Sequence, residues 1–316
     1  MTHPGRLGWL SVFLLLAVAA VWVNASSRRI FILHEGRAEQ PTSRAFFAGS
    51  ERVLGRLSHL KARHQYLGAD ADACRQAWTQ LQAFQPDAVI VEGAQAQECL
   101  SDRLRGPAYA QVRLVQASAT GAAAHGRAAF IASWATLLGE LSSGQGPVML
   151  LHGGDPAGLA ERDLLTLAVA QAGLDVQWVD VSTASSAGRP LVWPEALQGP
   201  ISNVVVLGQS VGWGAPQGTE QALRALVGVL RQASPHPILA TRLDRVFWGV
   251  DMALDESPEQ RGEQMALNAW RGDRTDPLPP LEMAVALRAE FAERRASSLP
   301  SIYRASARLA GFWAPP

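Results

Sequence analysis

Strand-like runs alternate with segments of helical periodicity along most of this chain, and that alternation restricts the fold to parallel sheet covered by helices. Ile30-Phe31-Ile32-Leu33 opens the series as a continuous apolar run of the kind buried on both faces of a sheet. A helix follows in which Thr42 is placed to cap, and Phe46, Ser50, Val53 and Leu57 recur at spacings of three and four. Strands are then expected at Leu60–Leu67, Ala88–Val91 and Val112–Val115, with a helix over Asp72–Phe84 and a shorter one after the third strand. Ser118–Gly126 is small and polar, a linker by composition. The alternation then restarts, with strands at Val148–Leu151, Val176–Val181 and Val204–Leu207 and helices over Arg127–Leu141, Leu159–Ala172 and from the glycine-rich loop to Arg231. Two α/β lobes in series are implied.

Past Pro237 the pattern changes. Ile238–Thr241 and Phe247–Met252 read as two short strands. Ser257, Pro258 and Gln260 then make a capping box at the head of a helix that Gly272 closes. The final stretch, from the end of that helix to Pro316, is too weakly patterned to assign.

Leu7–Ser27 carries no charge, follows Arg6 and has an apolar centre, which is the layout of a secretory signal cleaved after Ala25 or of an uncleaved anchor. Either way the folded part is expected to be exported. In an oxidising compartment the only two cysteines, Cys74 and Cys99, read as one disulfide, with two buried thiols as the alternative. Closing the intervening loop would contribute about 3 to 4 kcal/mol on a chain-entropy argument. Formal net charge is zero and no basic patch occurs, so no nucleic-acid partner is expected. His59 and His64 lack the clustered partners a metal site needs, and neither metal nor cofactor is expected.

Val204–Ala215, VVVLGQSVGWGA, contains the G-x-S-x-G pattern of a nucleophile elbow around Ser210. In that order the acid and the histidine follow the serine, yet only His236 does so, one helix later. The remaining reading is a glycine-rich turn at the carboxyl end of a parallel strand, where open α/β sheets bind ligands. A serine hydrolase is thus the weaker alternative, and a non-enzymatic binding loop is expected.

Several stretches resemble the type I periplasmic solute-binding proteins, the group that includes sugar-type components of ABC transporters. They are FQPDAVIVEGAQA (Phe84–Ala96), GPVMLLHGGDPAGLAERDLL (Gly146–Leu165), VVVLGQSVGWGA and SPEQRGEQMALNAWRGDRTDPLP (Ser257–Pro279). The resemblance implies two Rossmann-like lobes with parallel sheets joined by a multi-strand hinge. Residues 26–118 with 246–280 would form lobe 1, and 119–245 with 281–316 lobe 2, after a signal segment at 1–25. It implies a monomer that closes on a small polar solute and delivers it to a membrane permease, or alternatively to a sensor kinase. The ligand-binding candidates are polar or aromatic residues just beyond strand ends. They are Glu35, Arg37, Glu92, Asp155, Arg162, Gln209, Ser210, Trp213, Arg242 and Asp251. Gly208 and Gln209 stand where sugar-binding members often carry an Asn-Asp pair, so the resemblance implies a small solute without naming one.

Overall fold

A computed structural model describes residues 27–68, 72–116, 124–142, 146–181, 201–211, 219–272, 279–295 and 299–315. The expected signal segment and Trp213 lie outside them, as does the expected linker up to residue 123. The chain divides into two compact units. The first comprises Met1–Arg37, Ser50–Ala117 and Glu263–Thr275, and the second Ala38–Gly49, Ser118–Gly262 and Asp276–Pro316.

In the first unit β1 (Arg28–His34), β2 (Leu60–Tyr66), β3 (Ala88–Glu92) and β4 (Arg113–Gln116) form a parallel sheet of order β2-β1-β3-β4. Successive side chains of β1 point to opposite faces. Phe31 and Leu33 join the buried cluster with Ala77 and Leu81 of α2 (Ala73–Phe84) and Leu100 of α3 (Ala94–Leu104). Ile30, Ile32 and His34 therefore face the other way. Cys74 and Cys99 are joined as a disulfide between α2 and α3. Cys99 lies inside α3.

The second unit holds β5 (Val148–His152), β6 (Val176–Asp180), β7 (Val205–Leu207), β8 (Ile238–Ala240), β9 (Met252–Glu256), β10 (Met283–Arg288) and β11 (Trp313–Ala314). Their order is β11-β10-β9-β8-β7-β5-β6, and β9 with β10 is the antiparallel pair. The alternation along β5 divides the core between the two faces. Met149 and Leu151 pack with Leu223, Leu226 and Leu230 of α6 (Thr219–Ala233). Val148 and Leu150 pack with Trp134 and Leu138 of α4 (Ala124–Leu141) and with Leu165 and Val169 of α5 (Pro156–Gln171).

Four expectations are corrected. The helix α1 (Pro41–Leu54) starts at Pro41, whose missing N–H and fixed φ suit the first helical position, and Thr42 lies inside it. The expected strand Phe247–Met252 is replaced by a 3-10 helix over Leu243–Trp248, with β9 beginning where that strand was to end. Gly249 stops the 3-10 helix at φ 107°, a conformation costly for any side chain. Residues 246–262 were assigned to lobe 1 but lie in the second unit, because β9 is hydrogen-bonded between β8 and β10. The capping box of α7 (Pro258–Arg271) is half formed. The Gln260 N–H donates to Ser257 Oγ at 3.4 Å, whereas the Gln260 side chain accepts from the Glu282 N–H at 2.7 Å. The unassigned terminal stretch supplies β10, α8 (Ala289–Arg294), α9 (Ser301–Leu309) and β11.

Candidate functional site

Open α/β sheets bind ligands outside the carboxyl ends of their strands. In the second unit those ends are His152, Leu207 and Ala240, followed by the loops His152-Gly153-Gly154-Asp155, Gly208–Val211 and Thr241-Arg242. The Gly208 N–H donates to Leu151 O at 2.9 Å and the Val211 N–H to Gly208 O at 3.1 Å, so the chain turns immediately on leaving β7.

Two buried charged side chains grip this turn. Glu161 of α5 accepts the Gln209 N–H at 2.6 Å. Arg245, 1% exposed, donates to Gly208 O at 2.8 Å and also to Gln209 O. Burial pushes the Glu161 carboxyl up to about 7, and the Thr241 hydroxyl, the Gln209 N–H and the Arg245 charge only partly offset it. Glu161 falls on the inner face of α5 with Gly158, Leu165, Ala168 and Val169, which explains how a helix can bring a carboxylate under the loop.

Asp155 serves that helix. Its Oδ1 accepts the Gly158 N–H at 3.0 Å, the geometry of an N-cap with Pro156 at the first helical position. A Cβ on Gly158 would stand 2.6 Å from Gly153 O and 2.9 Å from Ser210 Oγ. Gly158→Ala is therefore expected to lower stability by about 1 to 3 kcal/mol in urea denaturation, through overpacking. An unchanged midpoint would show that the two loops are free to part.

The structure thus brings together Asp155, Gln209 and Ser210 at one edge, with Arg242 following the adjacent strand β8. Ser210 is buried between Gly153 and Gly158, and among the described residues no histidine ring is hydrogen-bonded to its Oγ. Arg242 engages Asp244 at 3.3 Å. Arg162 turns to Asp163 at 3.0 Å and lies 5.9 Å from the Trp178 ring. Asp251 is separated from this group. It precedes β9 at the amino end of β8, where its carboxylate accepts the Ile238 N–H and pairs with Arg231 and Arg288, each at 2.9 Å. Its contacts are those of a buried structural ion pair.

In the first unit the strand ends are His34, Tyr66 and Glu92. The Glu35 N–H donates to Glu92 O at 3.1 Å, the Glu35 side chain lies across Gly93, and the stem of Arg37 lies over Gly68. His34, fully buried, contacts Glu92 Oε2 through Nδ1 at 2.5 Å and His64 Nδ1 through Nε2 at 2.8 Å. His64 Nε2 contacts Glu51 Oε1 at 3.0 Å, and Tyr66 stacks on His34 at 4.3 Å. Burial, foremost, and the nearby His34 pull the His64 imidazole below its usual range, against the hydrogen bond to Glu51. His64 thus has polar partners on both ring nitrogens. Even so, among the described residues no three His, Cys, Asp or Glu side chains form a metal site.

Sequence reasoning missed Glu161, Arg245, His34 and Glu51. Only Glu161 left a signal, its helical register with Leu165 and Ala168.

No family profile matches the chain, and no curated protein matches it by sequence. Solved structures do. A conserved domain protein from Vibrio cholerae is 13% identical with a TM-score of 0.57, over 92% of this chain and 100% of that one. An ABC domain in complex with L-Trp from Streptococcus pneumonia is 12% identical with a TM-score of 0.56, over 88% and 98%. A substrate-binding protein of a sugar ABC transport system from Bordetella parapertussis is 12% identical with a TM-score of 0.52, over 89% and 94%. At these identities the likeness establishes the fold.

Proposed function

We propose that this chain, which has the type I periplasmic-binding-protein fold, is an exported, monomeric solute-binding protein that captures a small polar ligand and delivers it to an ABC transporter permease. The observation that carries this reading is the gripped turn Gly208–Val211 at the carboxyl edge of the second unit's sheet. A loop held by two buried charges is preorganised, and preorganisation reduces the entropic cost of binding. Asp155, Gln209, Ser210 and Arg242 of the second unit are the polar groups proposed to meet the solute. Trp213, two residues beyond the described turn, is proposed to stack on it. Export is supported by the Cys74–Cys99 disulfide, a bond that persists in oxidising compartments. Fold likeness to one protein in complex with L-Trp and to another from a sugar transport system supports a small-molecule ligand.

A thermal-shift screen of sugars, amino acids, polyamines and small osmolytes tests the reading. One class is expected to raise Tm, since a ligand at about 100 times its Kd stabilises by about 2.7 kcal/mol. Trp213→Ala should abolish the shift without lowering the unliganded Tm. Silence across the panel would leave the fold without this function.

A further inference from the structure

The contacts Glu92–His34, His34–His64 and His64–Glu51 link four titratable side chains in a row through every ring nitrogen of both histidines. Each contact requires one hydrogen, or two lone pairs would face each other at hydrogen-bond distance. Two neutral imidazoles supply one N–H each. Three contacts need three hydrogens, so the row is one proton short unless it holds another.

The environment locates that proton. His64 is disfavoured as a cation by burial and by His34, and Glu51 is the most exposed of the four. His64 then donates Nε2–H to Glu51 and accepts from His34 at Nδ1. His34 donates Nε2–H to His64, which leaves the 2.5 Å contact between His34 Nδ1 and Glu92 to be filled. We propose that the carboxyl edge of the first unit is a proton-binding site, in which the row Glu92–His34–His64–Glu51 retains a third proton in the His34–Glu92 contact. The proton comes from solvent on folding and returns there on unfolding.

Tyr66 of β2 stacks on the His34 ring, and Glu35 follows His34 in the chain beside Glu92. Arg37 lies over Gly68, and Lys61 and Arg63 of β2 are exposed. On α1 the neighbour of Glu51, Arg52, is turned to Glu263 of α7. The opposite face of β1 meets the apolar cluster of α2 and α3. With the proton aboard the row carries a net charge of −1, and without it −2, so the proton sets the charge that this edge presents to anything binding there.

The pH dependence follows from proton counts. The unfolded row passes from four protons to two as pH rises through the ordinary imidazole value of about 6.5, while the folded row holds three. Below that value the depressed His64 costs stability as pH falls. Above it the retained proton costs stability as pH rises.

Glu51→Gln provides the test, because an amide brings its own hydrogen. With the introduced amide donating to His64 Nε2, His64 donates Nδ1–H to His34 Nε2 and His34 donates Nδ1–H to Glu92, and no third proton is required. The readout is ring-nitrogen NMR with carboxyl carbon shifts on the full chain at pH 7.5. The wild type is expected to show His64 as its Nε2–H tautomer, with the third proton on His34 or on Glu92. The variant is expected to show two neutral rings, both as Nδ1–H tautomers. Over pH 7 to 8.5 the folding constant of the wild type should fall relative to that of the variant by about tenfold per pH unit. Two neutral rings with ionised Glu51 and Glu92 in the wild type would overturn the proposal. So would an unchanged His64 tautomer in the variant, or parallel stability profiles.

Discussion

Replacing Arg245 by methionine is expected to cost the second unit about 3 to 5 kcal/mol at pH 8, the range for removing one partner of a buried charge cluster. The guanidinium is almost wholly enclosed and donates to Gly208 O and Gln209 O. Its charge also helps hold the Glu161 carboxylate in its ionised form. Methionine fills much of the volume, so the loss is electrostatic: two carbonyls lose their donor, and a buried carboxylate loses the cation that tempers it. At pH 5 Glu161 is protonated and the penalty should shrink. Lysine is expected to rescue only part, because an ammonium cannot place two planar donors as a guanidinium does. Urea denaturation at both pH values measures this, and a loss below about 1 kcal/mol at pH 8 would mean that the turn does not depend on Arg245.

Glu161→Gln tests the other half of the grip. Burial raises the folded-state value of Glu161 from 4.5 to about 7. A raised carboxyl binds more protons folded than unfolded, so its stabilising share is complete below about 4.5 and is lost as pH rises through about 7. The 2.5-unit difference between those two values corresponds to about 3 kcal/mol. Glutamine keeps an oxygen for the Gln209 N–H and does not titrate. The variant should therefore gain about 3 kcal/mol relative to the wild type between pH 4.5 and pH 8, read from paired denaturation curves. Curves that stay parallel across that interval would refute a titrating Glu161.

The parts of the fold legible in the sequence were those in which side-chain chemistry and burial agree. Ile30–Leu33, Ala88–Val91 and Val148–Leu151 are apolar and buried throughout, so their runs announce them. Leu243–Trp248 failed because Val246, Phe247 and Trp248 are residues that also favour strands, while its inward face includes Arg245, an uncommon core residue until two carbonyls are placed beside it. The β10 segment, Met283–Leu287, was passed over because nothing local says that it runs antiparallel to β9. The site divided along the same line. The loop positions could be inferred from strand ends, whereas Glu161, His34 and Arg245 owe their roles to partners 30 or more positions away in sequence. The partners of Asp251 were hidden for a related reason, since an aspartate after a short apolar stretch looks the same in sequence whatever its carboxylate meets.

The grip on the Gly208–Val211 turn has a consequence for how such a protein can diversify. Within the turn, Glu161 and Arg245 engage main-chain atoms, the Gln209 N–H and the carbonyls of Gly208 and Gln209. Every amino acid except proline offers the same N–H and carbonyl at position 209. Substitutions there can change what the loop displays while leaving these main-chain hydrogen bonds in place, so the turn separates the side chain it exposes from the backbone that anchors it.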